Sequence, residues 1–266
     1  MKKIILITNC VFFACFTFGV NAVNEYDTKS ENTIDKYINV FSLTNTDQVQ
    51  SGWSYWFVRE SSTETGMNLQ MFYLDKEIEA HPPHQHPEKV IYYIVEGQAE
   101  VSLAGETRVI GPNISLCCPP GVMHSIKRAD DKPLRYLAIK DGASVVASYD
   151  ANNFLSKSTI DNCITPFSED KVDIARTGWY FWFEPKVQKS GINLKMTYVD
   201  KLTGTHEPHQ HAGEEILFML DGQAEITIDG ETKVVDPYTS IYYYSYSLHC
   251  IKRVNDQPIR YLVINP

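Results

Sequence analysis

The sequence contains no basic tract. Its 24 lysines and arginines stand against 33 aspartates and glutamates, for a formal net charge of −9. A phosphate-binding surface needs clustered Lys and Arg, so the composition argues against nucleic acid as a partner. Beyond the N-terminal segment there is no apolar run long enough to span a bilayer. Cysteine is also scarce. Two of the six, Cys10 and Cys15, fall in the first apolar segment. The other four, Cys117, Cys118, Cys163 and Cys250, have the spacing of neither a disulfide framework nor a zinc ribbon. Adjacent Cys117 and Cys118 would point to opposite faces of a strand and pair only under strain, so these thiols read as small buried apolar side chains.

The first residues read as an export signal. Met1-Lys2-Lys3 is the positive start, residues 4–18 are mostly apolar, and Val20-Asn21-Ala22 is a small-residue cleavage site. Cleavage after Ala22 removes two lysines and takes the charge from −9 to −11. Ala14-Cys15 resembles part of a lipoprotein processing site, but Phe12 fits its outer position badly. The expectation is a periplasmic or secreted chain rather than a lipid-anchored one.

Histidine, by contrast, is concentrated. All eight imidazoles fall into two copies of one pattern, 125 positions apart: His81, His84, His86 and His124, then His206, His209, His211 and His249. Neutral imidazole is the commonest transition-metal ligand, so the first reading is two metal pockets in two related units. The rest of the chain repeats at the same offset. Asn68-Leu69 meets Asn193-Leu194, Gly97-Gln98-Ala99-Glu100 meets Gly222-Gln223-Ala224-Glu225, and Arg135-Tyr136-Leu137 meets Arg260-Tyr261-Leu262. Slightly upstream, Gly52-Trp53 meets Gly178-Trp179 at 126. This is tandem duplication of a unit of about 100 residues, an ordinary domain size.

Each unit reads as all-β. Short runs rich in Val, Ile, Tyr and Phe alternate with turn signals, as at 90–95, 98–103, 114–118, 124–128 and 134–139. No convincing helical period separates them, which indicates a sandwich or barrel. The expected division is a signal over 1–22, an N-terminal extension over 23–48, domains over 49–142 and 171–266, and a linker over 143–170 with a short helix around 147–156.

The motifs resemble a known family. Pro83-His84-Gln85-His86 leading to Gly97, and Pro119-Pro120-Gly121-Val122-Met123-His124, resemble the two signatures of the cupin superfamily. The second unit matches the first signature more fully, with His209-Gln210-His211, three residues, Glu215, six residues and Gly222. The resemblance implies a bicupin of two double-stranded β-helix (jelly-roll) barrels, akin to oxalate decarboxylases, quercetin dioxygenases and seed storage globulins. It also implies metal ligation by His209, His211, Glu215 and His249. Strand period agrees, because residues two apart share a face and His249 can converge from another strand. The first unit offers His84, His86 and His124. Val90 replaces the glutamate, and Glu88 has the parity to substitute. The expected cofactor is one or two divalent transition ions, with Mn, Fe, Co, Ni and Zn all compatible.

Other residues are weaker candidates. Tyr244 and Tyr246, in a tyrosine-rich approach to His249, could bring a hydroxyl into the pocket to orient a hydroxylated or carboxylated ligand or to act as general base, although β-propensity and barrel packing also account for tyrosines in strands. His206, three before His209, is a rim base or a surface side chain. Arg128 and Arg253 share a strand face with the nearby histidines and could clamp a carboxylate, with plain surface charge as the alternative. The sequence therefore points to an exported metal-dependent lyase, isomerase or dioxygenase acting on a small sugar acid, other carboxylate or enol. A non-catalytic sugar or organic-acid binder and a storage-type bicupin are the alternatives. Repeat units of this kind can bury apolar faces on each other or in a homo-oligomer.

Overall fold

The computed structural model describes residues 33–142, 159–183, 191–201 and 207–266. The expected export signal, the helix around 147–156 and His206 lie outside the described residues. The chain opens with a 3-10 turn (Thr33–Tyr37), β1 (Ile38–Val40) and β2 (Asp47–Val49). The first unit continues with β3 (Gly52–Val58), β4 (Asn68–Leu74), β5 (Val90–Glu96), β6 (Ala99–Leu103), β7 (Glu106–Ile110), β8 (Ile114–Cys118), β9 (His124–Arg128) and β10 (Leu134–Lys140). The second repeats it: a 3-10 turn (Ile160–Asn162), β11 (Ile164–Pro166), β12 (Asp173–Ala175), β13 (Gly178–Trp182), β14 (Asn193–Val199), β15 (Glu215–Asp221), β16 (Ala224–Ile228), β17 (Glu231–Val235), β18 (Thr239–Tyr243), β19 (His249–Arg253) and β20 (Ile259–Asn265).

Each barrel sets a seven-stranded antiparallel sheet against a three-stranded one. The orders are β11-β8-β5-β10-β4-β3-β2 with β7-β6-β9, and β1-β18-β15-β20-β14-β13-β12 with β17-β16-β19. Burial explains the composition of the strands. β6 and β16 alternate buried and half-buried residues, as expected when one face lines a core and the other meets water. β5 and β15 are apolar almost throughout because both faces are covered. Tyr92 and Ile94 face the interior of the first barrel, while Ile91 and Tyr93 face the second. Ile216 and Phe218 return that contact, with the Phe218 ring 4.9 Å from Phe57. The motif glycines Gly97 and Gly222 allow a close approach at the next turn. Their φ angles are +82° and +74°, and a Cβ would lie 2.3 Å and 2.2 Å from the carbonyl oxygens of Pro133 and Pro258. No helix among the described residues is long and apolar enough to cross a membrane.

The described parts of the expected extension and linker are not outside the barrels. Each supplies an exchanged strand. β1 precedes the first unit yet pairs with β18 of the second barrel, and β11 precedes the second unit yet pairs with β8 of the first. The turns before them follow the same exchange: Ile34 is buried in the second core and Ile160 in the first. Ion pairs repeat the symmetry, with Lys233 Nζ 2.7 Å from Asp35 and Arg108 Nε 2.8 Å from Asp161. Deleting the Ile34 side chain, which is 1% exposed, is expected to cost about 2–4 kcal/mol. In Ile34→Ala, amide hydrogen exchange should accelerate in β18 of the second barrel ahead of β3–β10 in the first.

Candidate metal centres

The backbone brings two histidines of each triad together. His84 and His124 exchange both backbone hydrogen bonds, at 3.1 and 2.9 Å, and His209 and His249 do so at the same distances. Such a directly opposed pair places both side chains on one face. The third histidine lies two residues further along, on the same face. Its carbonyl is held by the turn before β9 or β19: Gly121 N–H donates to His86 O (2.9 Å) and Tyr246 N–H to His211 O (2.8 Å).

Second interactions set the tautomers. His84 Nδ1 lies 2.9 Å from Pro82 O, His124 Nδ1 2.8 Å from Val122 O and His86 Nδ1 3.1 Å from Glu88 O. In the second unit His209 Nδ1 lies 3.2 Å from Glu207 O and His249 Nδ1 2.8 Å from Ser247 O. A carbonyl can only accept, so Nδ1 carries the proton and Nε2 the lone pair. The Nε2 atoms of His86, His124 and His249 are buried without a hydrogen-bond partner. In each triad the potential ligand atoms lie within 4.8 Å of one another. Burial lowers His249 and, helped by neighbouring imidazoles and Lys140, pushes His124 down to about 4. Both are therefore neutral, the form that binds metal.

The two centres differ in charge. Glu215 opens β15 with Oε1 3.7 Å from His211 Nε2 and Oε2 3.9 Å from His249 Nε2, and Asn265 lies 3.4 Å from Oε1. In the first unit Val90 stands in place of Glu215 and Lys140 in place of Asn265. Glu88 does not restore the carboxylate. It sits 3.4 Å from His86 Nδ1, the nitrogen opposite the orphaned Nε2, where it orients the ring instead of completing the triad.

They differ in space as well. The second barrel holds a cavity of about 300 Å³ reaching His209, Glu215 and His249, with Tyr180, Trp182, Lys195, Thr197, Tyr243 and Tyr261 among its walls. The cavity beside His84 is about 60 Å³. Phe72 replaces Thr197 and Tyr92 replaces Leu217, and both pack on Tyr136, at 5.0 Å stacked and 5.4 Å edge-on. The first barrel is thus filled by aromatic rings where the second stays open.

Several expected residues lie elsewhere. β18 ends at Tyr243, and the chain then turns. Tyr243 therefore lines the cavity, stacked 4.2 Å from His249, while Tyr244 points outward to a hydrogen bond with Asp229. That bond, with burial behind it, raises the Tyr244 phenol above its ordinary range, the wrong direction for a base. Tyr246 is 65% exposed and occupies the left-handed turn position of Gly121, with φ +63° against +71°. Arg128 and Arg253 brace the turns after their strands: Arg128 donates to Asp131 O (3.0 Å) and Arg253 to Asp256 O (3.3 Å). Neither lines a cavity at the histidines. Cys250, read from the sequence as a small buried thiol, is half-buried and among the cavity residues. Sequence reasoning missed Tyr243, Tyr261 and Lys195. A lysine as the one charged side chain in the run 193–199 was the available signal for the last. Since Tyr246 supplies a turn and no pocket group, Tyr246→Gly is expected to stay within about 1 kcal/mol of the parent in stability, with unchanged metal content by elemental analysis.

The family model for the cupin domain matches twice, at residues 72–140 and 198–265. No curated protein matches the sequence. Among solved structures, oxalate decarboxylase of Bacillus subtilis at pH 4.6 is 16% identical, covering 86% of this chain and 75% of that one with a TM-score of 0.63. A B. subtilis oxalate decarboxylase structure that addresses its Mn(II) centres and an oxalate decarboxylase structure that addresses the substrate binding mode are 17% identical, covering 85% and 86% of this chain and 76% of each of those, each with a TM-score of 0.63. At this identity the likeness is one of fold. The two family matches together take in more than half of the chain, and the protein belongs to the cupin family as a chain of two cupin domains.

Proposed function

We propose that the C-terminal cupin domain holds a divalent transition-metal ion on His209, His211, Glu215 and His249 and acts there on a small oxygenated molecule. The supporting observation is the donor set itself. Imidazoles with Nδ1 committed to carbonyls turn toward one another beside a carboxylate, at the edge of an open cavity of about 300 Å³. When bound, the ion would supply Lewis acidity at a substrate oxygen. The chain's own residues do the rest. Ser247 O fixes the His249 tautomer, Tyr243 holds its ring by stacking, and Tyr180, Trp182 and Tyr261 wall the ligand from water. Burial keeps the Tyr243 phenol protonated and its hydroxyl donates to Cys250 O at 3.3 Å, so it braces the wall and does not act as a base. Lyase, isomerase and dioxygenase chemistry all remain compatible with this arrangement.

The second reading is capture of a sugar or organic acid without turnover. It is favoured by the placement of Tyr244 and Tyr246, neither of which brings a proton-transfer group to the cavity. The first domain, filled by Phe72 and Tyr92 and lacking a Glu215 equivalent, has a supporting role under either reading. Export by the segment 1–22 to the periplasm or medium belongs to the same proposal.

The Mn(II) centres named for the B. subtilis enzyme make manganese the first ion to load. Elemental analysis of the loaded protein is expected to give about one tightly held metal per chain. Losing Glu215 or His249 to alanine should weaken binding by more than the ~10–100-fold typical of outer-shell losses, while His84→Ala leaves the tight site intact. Metal retained in both second-domain variants would overturn the assignment.

A further inference from the structure

Lys195 is the unexpected group in the C-terminal cavity. It lies in β14 directly across from Trp182 in β13. Its ammonium sits 5.1 Å from the Trp182 ring centre and 5.7 Å from that of Tyr180. It lines the same cavity as His209, Glu215 and His249. Among the described residues, no carboxylate comes within ion-pair distance of it and no acceptor hydrogen-bonds it. Burial pushes its pKa down, and Glu215 is the charge that draws it back up. In the first domain the equivalent position is Gln70, an uncharged side chain satisfied by Ser54 at 3.0 Å.

A half-buried cation without a partner is costly, and aromatic faces offset only part of that cost. Metal ligation by Glu215 would add to the imbalance, because Glu215, the carboxylate that acts on Lys195 among the described residues, would then be shared with a divalent ion. The cavity would be left with net positive charge on two sides: the metal at the histidines and the ammonium at the aromatic wall.

We infer that the C-terminal cavity selects a small organic acid whose carboxylate pairs with Lys195 while a second oxygen faces the metal centre. This rests on the metal reading above and narrows it, since neutral sugars and uncharged enols would leave Lys195 unpaired. At ~30 Å³ for each water-sized group, the cavity takes an acid of about ten non-hydrogen atoms. Trp182 and Tyr180 offer the flat surface against which its carbon skeleton lies. Lys195 is a specificity-determining residue here.

The test uses the mature two-domain protein loaded with Co(II), whose visible absorption reports ligands entering the metal's coordination sphere. Lactate and malonate are titrated against their uncharged counterparts lactamide and malonamide. In the parent protein at least one acid should bind about tenfold or more tightly than its amide, the margin expected of a charge-assisted hydrogen bond. Lys195→Gln, which installs the residue found in the first domain, should hold the same cobalt and lose that preference. Lys195→Arg should recover part of it. Equal binding of acid and amide, no response to any of the four, or an acid preference that survives Lys195→Gln with cobalt bound would each overturn the inference. Failure of the parent protein to take up cobalt would instead overturn the metal centre, and this inference with it.

Discussion

Each seven-stranded sheet must bury both of its faces, and most of this molecule follows from that requirement. β5 and β15 present apolar side chains inward to their own barrels and outward to one shared seam. At about 1.5–3 kcal/mol for each fully buried large apolar side chain, separating the barrels would expose more than a marginally stable fold tolerates. The seam also carries buried charge. Glu214, 1% exposed, accepts from Glu64 N (2.7 Å), Thr65 N (3.0 Å) and the Tyr242 hydroxyl (2.5 Å). Its counterpart Lys89 reaches the other way to Ile192 O at 2.9 Å. A buried charge is stable only when its hydrogen-bonding capacity is met, so these clasps fix the register of the barrels. They adjoin Glu215 and Val90, which ties the position of the fourth candidate ligand to the packing of the whole chain.

On that common frame the two copies have separated by side-chain volume and charge. The histidine geometry has barely moved: ring separations are 4.7 and 4.9 Å from His124 to His84 and His86, and 4.6 and 5.1 Å from His249 to His209 and His211. The contents of the barrels have changed. Phe72, Tyr92 and Val90 close the first, while Thr197, Leu217 and Glu215 open the second and give it a carboxylate. Backbone hydrogen bonding sets the triads and side-chain packing decides access to them, which allows one copy to lose its cavity without losing its triad.

The sequence made the triads legible because strand period and the 125-residue offset are local properties. His84 and His86, or His209 and His211, share a face in any extended strand. The exchange of β1 and β11 was harder to see because pairing partners distant in the chain leave no periodic trace. A trace of the duplication itself was present: Thr33-Ile34-Asp35 matches Thr159-Ile160-Asp161, and Phe41-Ser42 matches Phe167-Ser168, all at 126. The duplicated unit therefore extends upstream over these segments, although each pairs with the other barrel. The tyrosines were misplaced for a different reason. A run of tyrosines does not show where its strand stops: β18 ends at Tyr243, so Tyr244 and Tyr246 fall in the turn that follows and do not keep the facing of the strand. Arg128 and Arg253 share their strand face with the histidines, but at the far end of short strands, where a long side chain is used to tie the next turn.

The orphaned Nε2 atoms weigh on both domains. A buried polar nitrogen without a partner costs about 1–3 kcal/mol, and the first triad has two, on His86 and His124. Aromatic packing around them does not repay that cost, since Phe72, Tyr92 and Tyr136 offer no donor to either nitrogen. The roughly 60 Å³ beside His84 is room for a water or a small ion and too little for an organic ligand. Lys140, whose charge acts on His81, His86 and His124, disfavours a divalent cation there, and Val90 removes the carboxylate that would offset it. The second triad has the opposite arrangement, with Glu215 beside the imidazoles and open volume in front of them. The same three histidines are therefore enclosed in one domain and accessible in the other, and the difference traces to four substitutions around them: Val90 for Glu215, Phe72 for Thr197, Tyr92 for Leu217 and Lys140 for Asn265.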